Sequence, residues 1–172
     1  MSILAATDGS TVPDRVVEVA ADLAAGYGEE LVVLHVVPED VFENQQKSSV
    51  ESTSDLALTF APEITYRELG DQTSAAGGGD GGYSLEHAIH DAERVAEDVT
   101  RKSTESVPSA SYHGRVGDVT EEILSLAAEV DPRYLVVGGR KRTPVGKAIF
   151  GSVTQSILLE ADRPVVTVMS EE

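Results

Sequence analysis

The chain has 172 residues, and its 30 Asp and Glu against 13 Lys and Arg give a formal net charge of −17. Cysteine is absent, which excludes disulfides, a thiol nucleophile and cysteine-based zinc or iron–sulfur sites. The negative charge disfavours binding to nucleic acids and anionic membranes. Apolar runs stay near eight residues where a membrane helix needs about 20. Because no basic leader precedes the first apolar run either, we expect a soluble cytoplasmic protein.

The balance of charged residues also bears on the source of the protein. Arginines outnumber lysines nine to four, and carboxylates far exceed both. An excess of surface carboxylate is expected where concentrated salt screens the self-repulsion of the fold. The composition therefore favours a halophilic, haloarchaeal source, with an ordinary acidic bacterial protein as the alternative.

Short apolar runs alternate along the chain with segments of helical periodicity. This alternation is typical of βαβ units and a parallel sheet. The predicted strands cover residues 3–7, 31–37, 112–116, 134–137 and 164–169. The predicted helices begin near Pro13, at Ser84, after Asp118 and at Ser152. Asp118 with Glu121, and Ser152 with Gln155, have the spacing of capping boxes.

Residues 39–83 interrupt this alternation. The segment is rich in Ser, Thr, Gln and acidic residues, and it contains five glycines between residues 77 and 82. Such a composition buries little apolar surface. We therefore predict one domain over residues 1–172, with an at least partly flexible insertion at 39–83 to which we assign no secondary structure.

The order of elements predicts an α/β fold with a doubly wound, open sheet of five parallel strands. Right-handed crossovers give 3-2-1-4-5 as the simplest strand order. The winding then reverses between the first and fourth strands, and ligands of such sheets bind at the carboxyl ends of the strands that flank the reversal. Asp8 and Gly138 follow these two strands, so we expect them on either side of one crevice.

The segment after the fourth strand concentrates positive charge. Arg140, Lys141, Arg142 and Lys147 are four of the thirteen basic residues and lie within eight positions. Glycines let backbone N–H groups approach an anion, and Gly151-Ser152 begins a helix. Residues 138–153 therefore suggest a polyphosphate cradle, in which Ser152 caps the helix, contacts a phosphate or does both. The alternative is a solvated basic loop that makes surface ion pairs.

Other phosphate motifs and reactive groups fit the sequence less well. A Walker loop needs glycine at 141 and Ser or Thr at 148, where the chain has Lys141 and Ala148. His87 and His90 could share a metal, but an exposed helix face explains them more simply. His35 lies in an apolar strand and is expected to be a core residue. Asp8 lacks a second acidic neighbour in the same strand-end motif to hold Mg²⁺ for phosphoryl chemistry.

Three segments resemble the universal stress protein family. They are Asp8-Gly9-Ser10 after the first strand, Leu34-His35-Val36-Val37 in the second, and the closing run from Ala161 to Val168. The loop after the fourth strand is also similar to the family's nucleotide-binding motif: a glycine, two residues, a second glycine, nine residues, then Gly-Ser or Gly-Thr. Here Gly138 and Gly151-Ser152 keep the spacing, and Lys141 replaces the second glycine. The resemblance implies an adenine nucleotide alpha hydrolase-like fold.

The resemblance also implies roles for individual residues. Asp8 would lie near a ribose, and Val36 would line an adenine pocket. The residues implied at the triphosphate are Gly138, Gly151, Ser152 and Val153. Val137, Arg140 and Lys141 complete the implied nucleotide-binding set. Lys141 would either block the close backbone approach that a glycine permits or pair its ammonium with a phosphate.

Two functions are favoured over a third, an adenylyl-transfer or ATPase enzyme, which would need an acid or base in the crevice other than Asp8. One is a stress or signalling protein that binds ATP, or AMP, with Mg²⁺ or Mn²⁺ carried by the nucleotide. It would act through ligand-dependent interaction with partners rather than as an enzyme, because no general base is evident and hydrolysis would be slow. The other is an interaction module of the same fold without nucleotide. For both, the resemblance implies a homodimer through the C-terminal strand at 164–169.

Overall fold

The structure is a computed structural model that describes residues 1–10, 12, 14–51, 83–105, 107, 109–140 and 150–170. The strands are β1 (Ser2–Thr7), β2 (Glu30–Pro38), β3 (Ala110–Gly117), β4 (Tyr134–Arg140) and β5 (Val165–Ser170). The helices are α1 (Arg15–Tyr27), α2 (Glu39–Glu51), α3 (Leu85–Ser103), α4 (Val119–Val130) and α5 (Ser152–Glu160). All strand pairs are parallel, and the order β3-β2-β1-β4-β5 confirms the predicted doubly wound sheet.

Helices cover both faces of the sheet. One core cluster joins alternate residues of the strands, such as Ile3 and Val33, to α1 and α3. The other joins the residues between them, such as Leu4 and Leu34, to α4 and α5. Successive side chains of a strand point to opposite faces, so a strand buried on both sides is apolar throughout. The continuous burial of residues 31–37 in β2 follows from this packing.

The helix ends agree in part with the capping prediction. Asp118 accepts a hydrogen bond from the Glu121 N–H, as predicted, and Ser84, where a helix start was predicted, accepts one from the His87 N–H. The capping box assigned to Ser152 is wrong, because Gly151 is the N-cap and Ser152 is the first residue of α5. Pro13 lies outside the described residues, and Asp14 caps α1.

Helix α2 corrects the analysis of the insertion. The sequence analysis assigned no secondary structure to residues 39–83, but Glu39–Glu51 form a helix. Glu39 and Asp40 lie in its first turn, where negative charge complements the helix dipole. Phe42 contacts Tyr83, with 6.1 Å between the ring centroids. Residues 52–82 lie outside the described residues, so flexibility there stays a prediction.

Candidate functional site

The predicted crevice lies at the carboxyl ends of β1 and β4. These two strands are parallel neighbours, and Ala6 pairs with Val137. The segments that follow the two strands therefore leave the sheet at the same edge. Asp8 follows β1 and is exposed, while Gly138 lies one residue beyond the paired position on β4. β2 lies on the other side of β1, so the winding of the sheet reverses between β1 and β4. Open α/β sheets bind ligands at such a reversal.

The turn after β1 holds the carboxylate of Asp8 in a defined place. Asp8 Oδ1 accepts hydrogen bonds from the Ser10 N–H at 2.9 Å and from the Ser10 hydroxyl at 2.6 Å. Gly9 has a φ of +69°, and a Cβ there would lie 2.8 Å from Val95 Cγ1 on α3. Both the left-handed backbone and the close approach of α3 therefore require glycine at this position.

Asp14 is a second acidic group at this edge, and the sequence analysis missed it. Its residue is 5% exposed, and its carboxylate accepts hydrogen bonds from the Thr7 hydroxyl and from the Val16 N–H. Burial raises the pKa of Asp14 above its ordinary value; the charge of Asp8 adds to the rise, and these hydrogen bonds oppose it. The signal available in the sequence was an Asp directly before a helix, the preferred N-cap residue.

His35 lies beside the same turn, on β2. It is 4% exposed, and its Nδ1 lies 3.0 Å from the carbonyl oxygen of Thr7. A carbonyl can only accept, so Nδ1 carries the hydrogen of this bond. Burial lowers the pKa of His35 below its ordinary value of 6.5, while the Thr7 bond and the charge of Asp8 oppose the shift. The prediction of a buried core histidine is confirmed.

On the other side of the crevice, α5 starts against the end of β4. The hydroxyl of Thr154 donates a 2.6 Å hydrogen bond to the carbonyl oxygen of Gly138. The Gly151 carbonyl accepts the Gln155 N–H at 2.9 Å, which closes the first turn of the helix. Among the described residues no side chain caps this N-terminus, and the first turn carries no acidic residue. The helix start thus offers backbone N–H groups to a negatively charged ligand.

The remaining predicted site residues have different surroundings. Val36 and Val137 are 7% and 3% exposed and pack in the core cluster on the α4 and α5 side. Val153 is half-buried against the same cluster, and Ser152 is exposed at the start of α5. Arg140 ends β4. Residues 141–149, with Lys141 and the other two basic residues of the loop, lie outside the described residues, so their roles stay predictions.

The described part of the chain contains neither a metal-binding cluster nor a membrane-spanning helix. In that part, no three His, Asp or Glu side chains form a group that could hold a metal ion, and His87 and His90 lie exposed on α3. Likewise, none of the described helices is long and apolar enough to cross a membrane.

Comparisons with known proteins show which proteins this chain resembles in sequence and in structure. A sequence model described as the universal stress protein family matches residues 1–169. A universal stress protein of Mycolicibacterium smegmatis is 49% identical over 51 residues, and the match spans 30% of this chain and 39% of that protein. The structure of a universal stress protein from Archaeoglobus fulgidus is similar to this one over 97% of both chains, with 26% identity and a TM-score of 0.58.

Two more distant solved structures share the fold. One is a universal stress protein in complex with cAMP, with 17% identity, a TM-score of 0.57 and coverage of 99% of this chain and 98% of that one. The other, from Archaeoglobus fulgidus, is in complex with dAMP, with 19% identity, a TM-score of 0.53 and coverage of 97% and 96%. With its strand order, its Asp8 turn and a family match that extends over nearly its whole length, this chain belongs to the universal stress protein family.

Proposed function

We propose that this protein binds an adenine nucleotide, ATP or alternatively AMP, in the crevice at the carboxyl ends of β1 and β4. The observation that carries the proposal is the start of α5. Its N-cap is Gly151, no side chain in the described part of the protein caps it, and Thr154 holds the first turn against the Gly138 carbonyl. The N–H groups of such a turn bind phosphate through hydrogen bonds and the helix dipole.

The distribution of charge supports a phosphate at this position. Helices α1, α2, α3 and α4 each carry an acidic residue in the first turn, and α5 carries none. In a chain of net charge −17, α5 thus begins without a carboxylate that would repel phosphate from its own turn. The four basic residues between 140 and 147 precede this helix start in the sequence.

The relatives support adenine as the base. The cAMP and dAMP of the two solved complexes both contain adenine and a phosphate. By resemblance, Asp8 would meet the ribose and Val36 would line the adenine pocket. Val137, Arg140 and Lys141 complete the implied nucleotide-binding set. Gly138, Gly151, Ser152 and Val153 contribute backbone groups and a hydroxyl to the phosphates. Mg²⁺ or Mn²⁺ would arrive with the phosphates of the nucleotide.

We expect binding without rapid hydrolysis. Asp8 Oδ1 already accepts two hydrogen bonds from Ser10, and His35 is buried behind the turn with its Nδ1 bonded to the Thr7 carbonyl. Neither group is presented as a general base toward a terminal phosphate. The nucleotide would act by shifting the population of loop conformations that a partner protein recognises. Lys141 in place of the motif glycine favours the second candidate, an interaction module of this fold that binds no nucleotide.

We also propose a homodimer through β5, under either candidate. β5 is an edge strand of the sheet, and Val165 and Val166 on it are only half-buried. Leu159, on the helix that precedes β5, is 80% exposed. An apolar edge strand invites pairing with another strand, and a two-fold axis would satisfy both copies.

A calorimetric titration of the protein with Mg·ATP tests the proposal that the protein binds a nucleotide. A Cβ at Gly151 would meet no described atom within 4 Å, so Gly151→Val obstructs the ligand without disturbing the described packing. Gly26→Val is the matched control, because Gly26 is equally uncrowded and lies on α1. We expect Gly151→Val to raise the Kd about tenfold or more and Gly26→Val to leave it unchanged. Equal affinity in all three proteins contradicts the proposed site.

A further inference from the structure

Buried groups hold both peptide units that adjoin Asp8. The carbonyl oxygen of Thr7, in the peptide before Asp8, accepts the hydrogen of His35 Nδ1 over 3.0 Å. The N–H of Gly9, in the peptide after Asp8, donates to the hydroxyl of Thr7 over 3.0 Å. Peptide units are planar, so holding one polar atom in each restricts both planes. These two buried hydrogen bonds therefore fix the direction in which the Asp8 side chain leaves the backbone.

The hydroxyl of Thr7 is itself oriented by Asp14. A hydroxyl has one proton, and Thr7 donates it to Asp14 Oδ2, which turns the lone pairs of the hydroxyl toward Gly9. The other carboxylate oxygen, Oδ1, caps α1 by accepting the Val16 N–H at 2.8 Å. The Asp14 N–H donates to Ser103 Oγ at the end of α3 over 2.7 Å. Helix α1 thus holds the carboxylate that orients the Thr7 hydroxyl, and α3 holds the backbone of the same aspartate.

These contacts are sheltered from solvent. Thr7, Asp14 and His35 are 6%, 5% and 4% exposed, whereas Asp8 is exposed at the mouth of the crevice. Hydrogen bonds in such an environment keep their geometry because water does not compete for the partners. These buried hydrogen bonds therefore converge on the backbone of Asp8, the exposed acidic residue that directly follows β1.

We propose that Thr7, Asp14 and His35 are positioning residues for Asp8 and hold its carboxylate where it meets the ribose hydroxyls of the bound nucleotide. They act through the backbone on either side of Asp8 and do not contact the ligand. The inference rests on the proposed nucleotide-binding function and adds to it the residues that determine recognition of the sugar.

The test compares ATP with 2′,3′-dideoxyadenosine triphosphate, which lacks the ribose hydroxyls. Both are titrated into the wild-type protein, Asp8→Ala, Thr7→Val and Thr7→Ser, with the unfolding midpoint of each measured in parallel. Thr7→Val keeps the shape of the side chain and removes the hydroxyl, whereas Thr7→Ser keeps the hydroxyl. Asp14→Asn is a second variant for the case in which Thr7→Val fails to fold. It can still cap α1 but turns an NH₂ donor toward Thr7.

We expect Thr7→Val to weaken ATP about tenfold and the dideoxy analogue by less than about twofold, with Thr7→Ser close to the wild type. Asp14→Asn should show the same selective loss. A purely structural role would weaken both nucleotides equally, and that result overturns the inference. It is also overturned if Asp8→Ala selectively weakens ATP while Thr7→Val and Asp14→Asn do not. If Asp8→Ala leaves ATP affinity unchanged, Asp8 has no role at the ribose and the inference fails. If the wild type binds neither nucleotide, the proposed function itself fails.

Discussion

The hydroxyl of Thr154 donates a hydrogen bond to the carbonyl oxygen of Gly138 over 2.6 Å. This bond joins the first turn of α5 to the carboxyl end of β4, the two elements on either side of residues 141–149. Thr154 is 5% exposed, so water does not compete for the bond. The N–H groups proposed to bind phosphate are therefore held at a fixed place beside the strand.

Replacing Thr154 by valine removes this bond while keeping the shape of the side chain. We expect Thr154→Val to lower the free energy of unfolding by about 1–2 kcal/mol, because the Gly138 carbonyl loses this donor. ATP affinity should fall as well, since the start of α5 is no longer held against β4. Thr154→Ser keeps the hydroxyl and should stay near the wild type in both measurements. Denaturant unfolding and calorimetric titration check this, and full ATP affinity in Thr154→Val would contradict it.

The contact between β3 and α3 gives a prediction about stability. A Cβ at Gly114 would lie 2.1 Å from the Ile89 carbonyl oxygen and 2.6 Å from the Glu93 nitrogen, both backbone atoms of α3. Gly114→Ala must therefore push the helix from the sheet, and we expect a loss of about 1–3 kcal/mol or more in unfolding free energy. Gly26→Ala, in an uncrowded position on α1, should instead stabilise by up to about 1 kcal/mol. Equal effects of the two substitutions would show that the close approach is absent.

His35 gives the pH dependence of stability a defined direction. Burial lowers its pKa from the ordinary value of 6.5, so the unfolded chain takes up the proton first as the pH falls. Its contribution to stability is complete above about pH 6.5 and is lost as the pH falls toward the lowered pKa of the folded state. His35→Gln should remove this part of the slope. Denaturant unfolding between about pH 5 and 8 measures it. Identical slopes in wild type and His35→Gln would be contrary to the expectation.

The fold could be predicted from the sequence because strong local patterns agree with one topology. Pro38, the last residue of the apolar strand β2, and the Gly28 cap that ends α1 in a left-handed conformation mark element boundaries that the structure confirms. Helix α2 was missed because most of its residues are polar, and its tertiary support comes from β2, β3 and the contact of Phe42 with Tyr83. The contact of Phe42 with Tyr83 joins the two ends of the 39–83 segment, and a pattern of neighbouring residues does not show it.

The site was only partly visible in the sequence. The positions of Asp8, Gly138 and Gly151 follow from strand order and from glycine spacing. The roles of Asp14 and Thr154 depend on side-chain bonds to residues seven and sixteen positions away, made across a loop or between elements. Such bonds have no periodic signature. The Ser152 capping box shows the converse error, since a local motif was present and the helix begins one residue earlier than the motif implied.

The net charge of −17 predicts that salt stabilises the protein. Screening shortens the Debye length from about 10 Å at 0.1 M to about 3 Å at 1 M and so reduces repulsion among surface carboxylates. We expect the thermal unfolding midpoint to rise over this range, equally for NaCl and KCl at the same ionic strength. A midpoint that stays constant or falls would exclude the proposed adaptation to high salt.

The oligomeric state tests the proposal for β5. Sedimentation equilibrium should give a mass twice that of the 18.2 kDa chain. Thr167→Lys places a charge in the middle of the edge strand and should shift the protein toward the monomer. Leu85→Lys is the control, because Leu85 is 51% exposed on α3, away from that edge, and the variant should remain a dimer. A monomeric wild type would rule out the dimer.

Two measurements on the wild-type protein test nucleotide binding most directly. The purified protein is first assayed for retained nucleotide, and it is then titrated with Mg·ATP in high salt by calorimetry. We expect retained adenine nucleotide, or saturable binding of one ATP per chain, and this would show that Lys141 is compatible with the site. A protein that carries no nucleotide and gives no heat with Mg·ATP or AMP would contradict nucleotide binding and leave the nucleotide-free interaction module as the function of this fold.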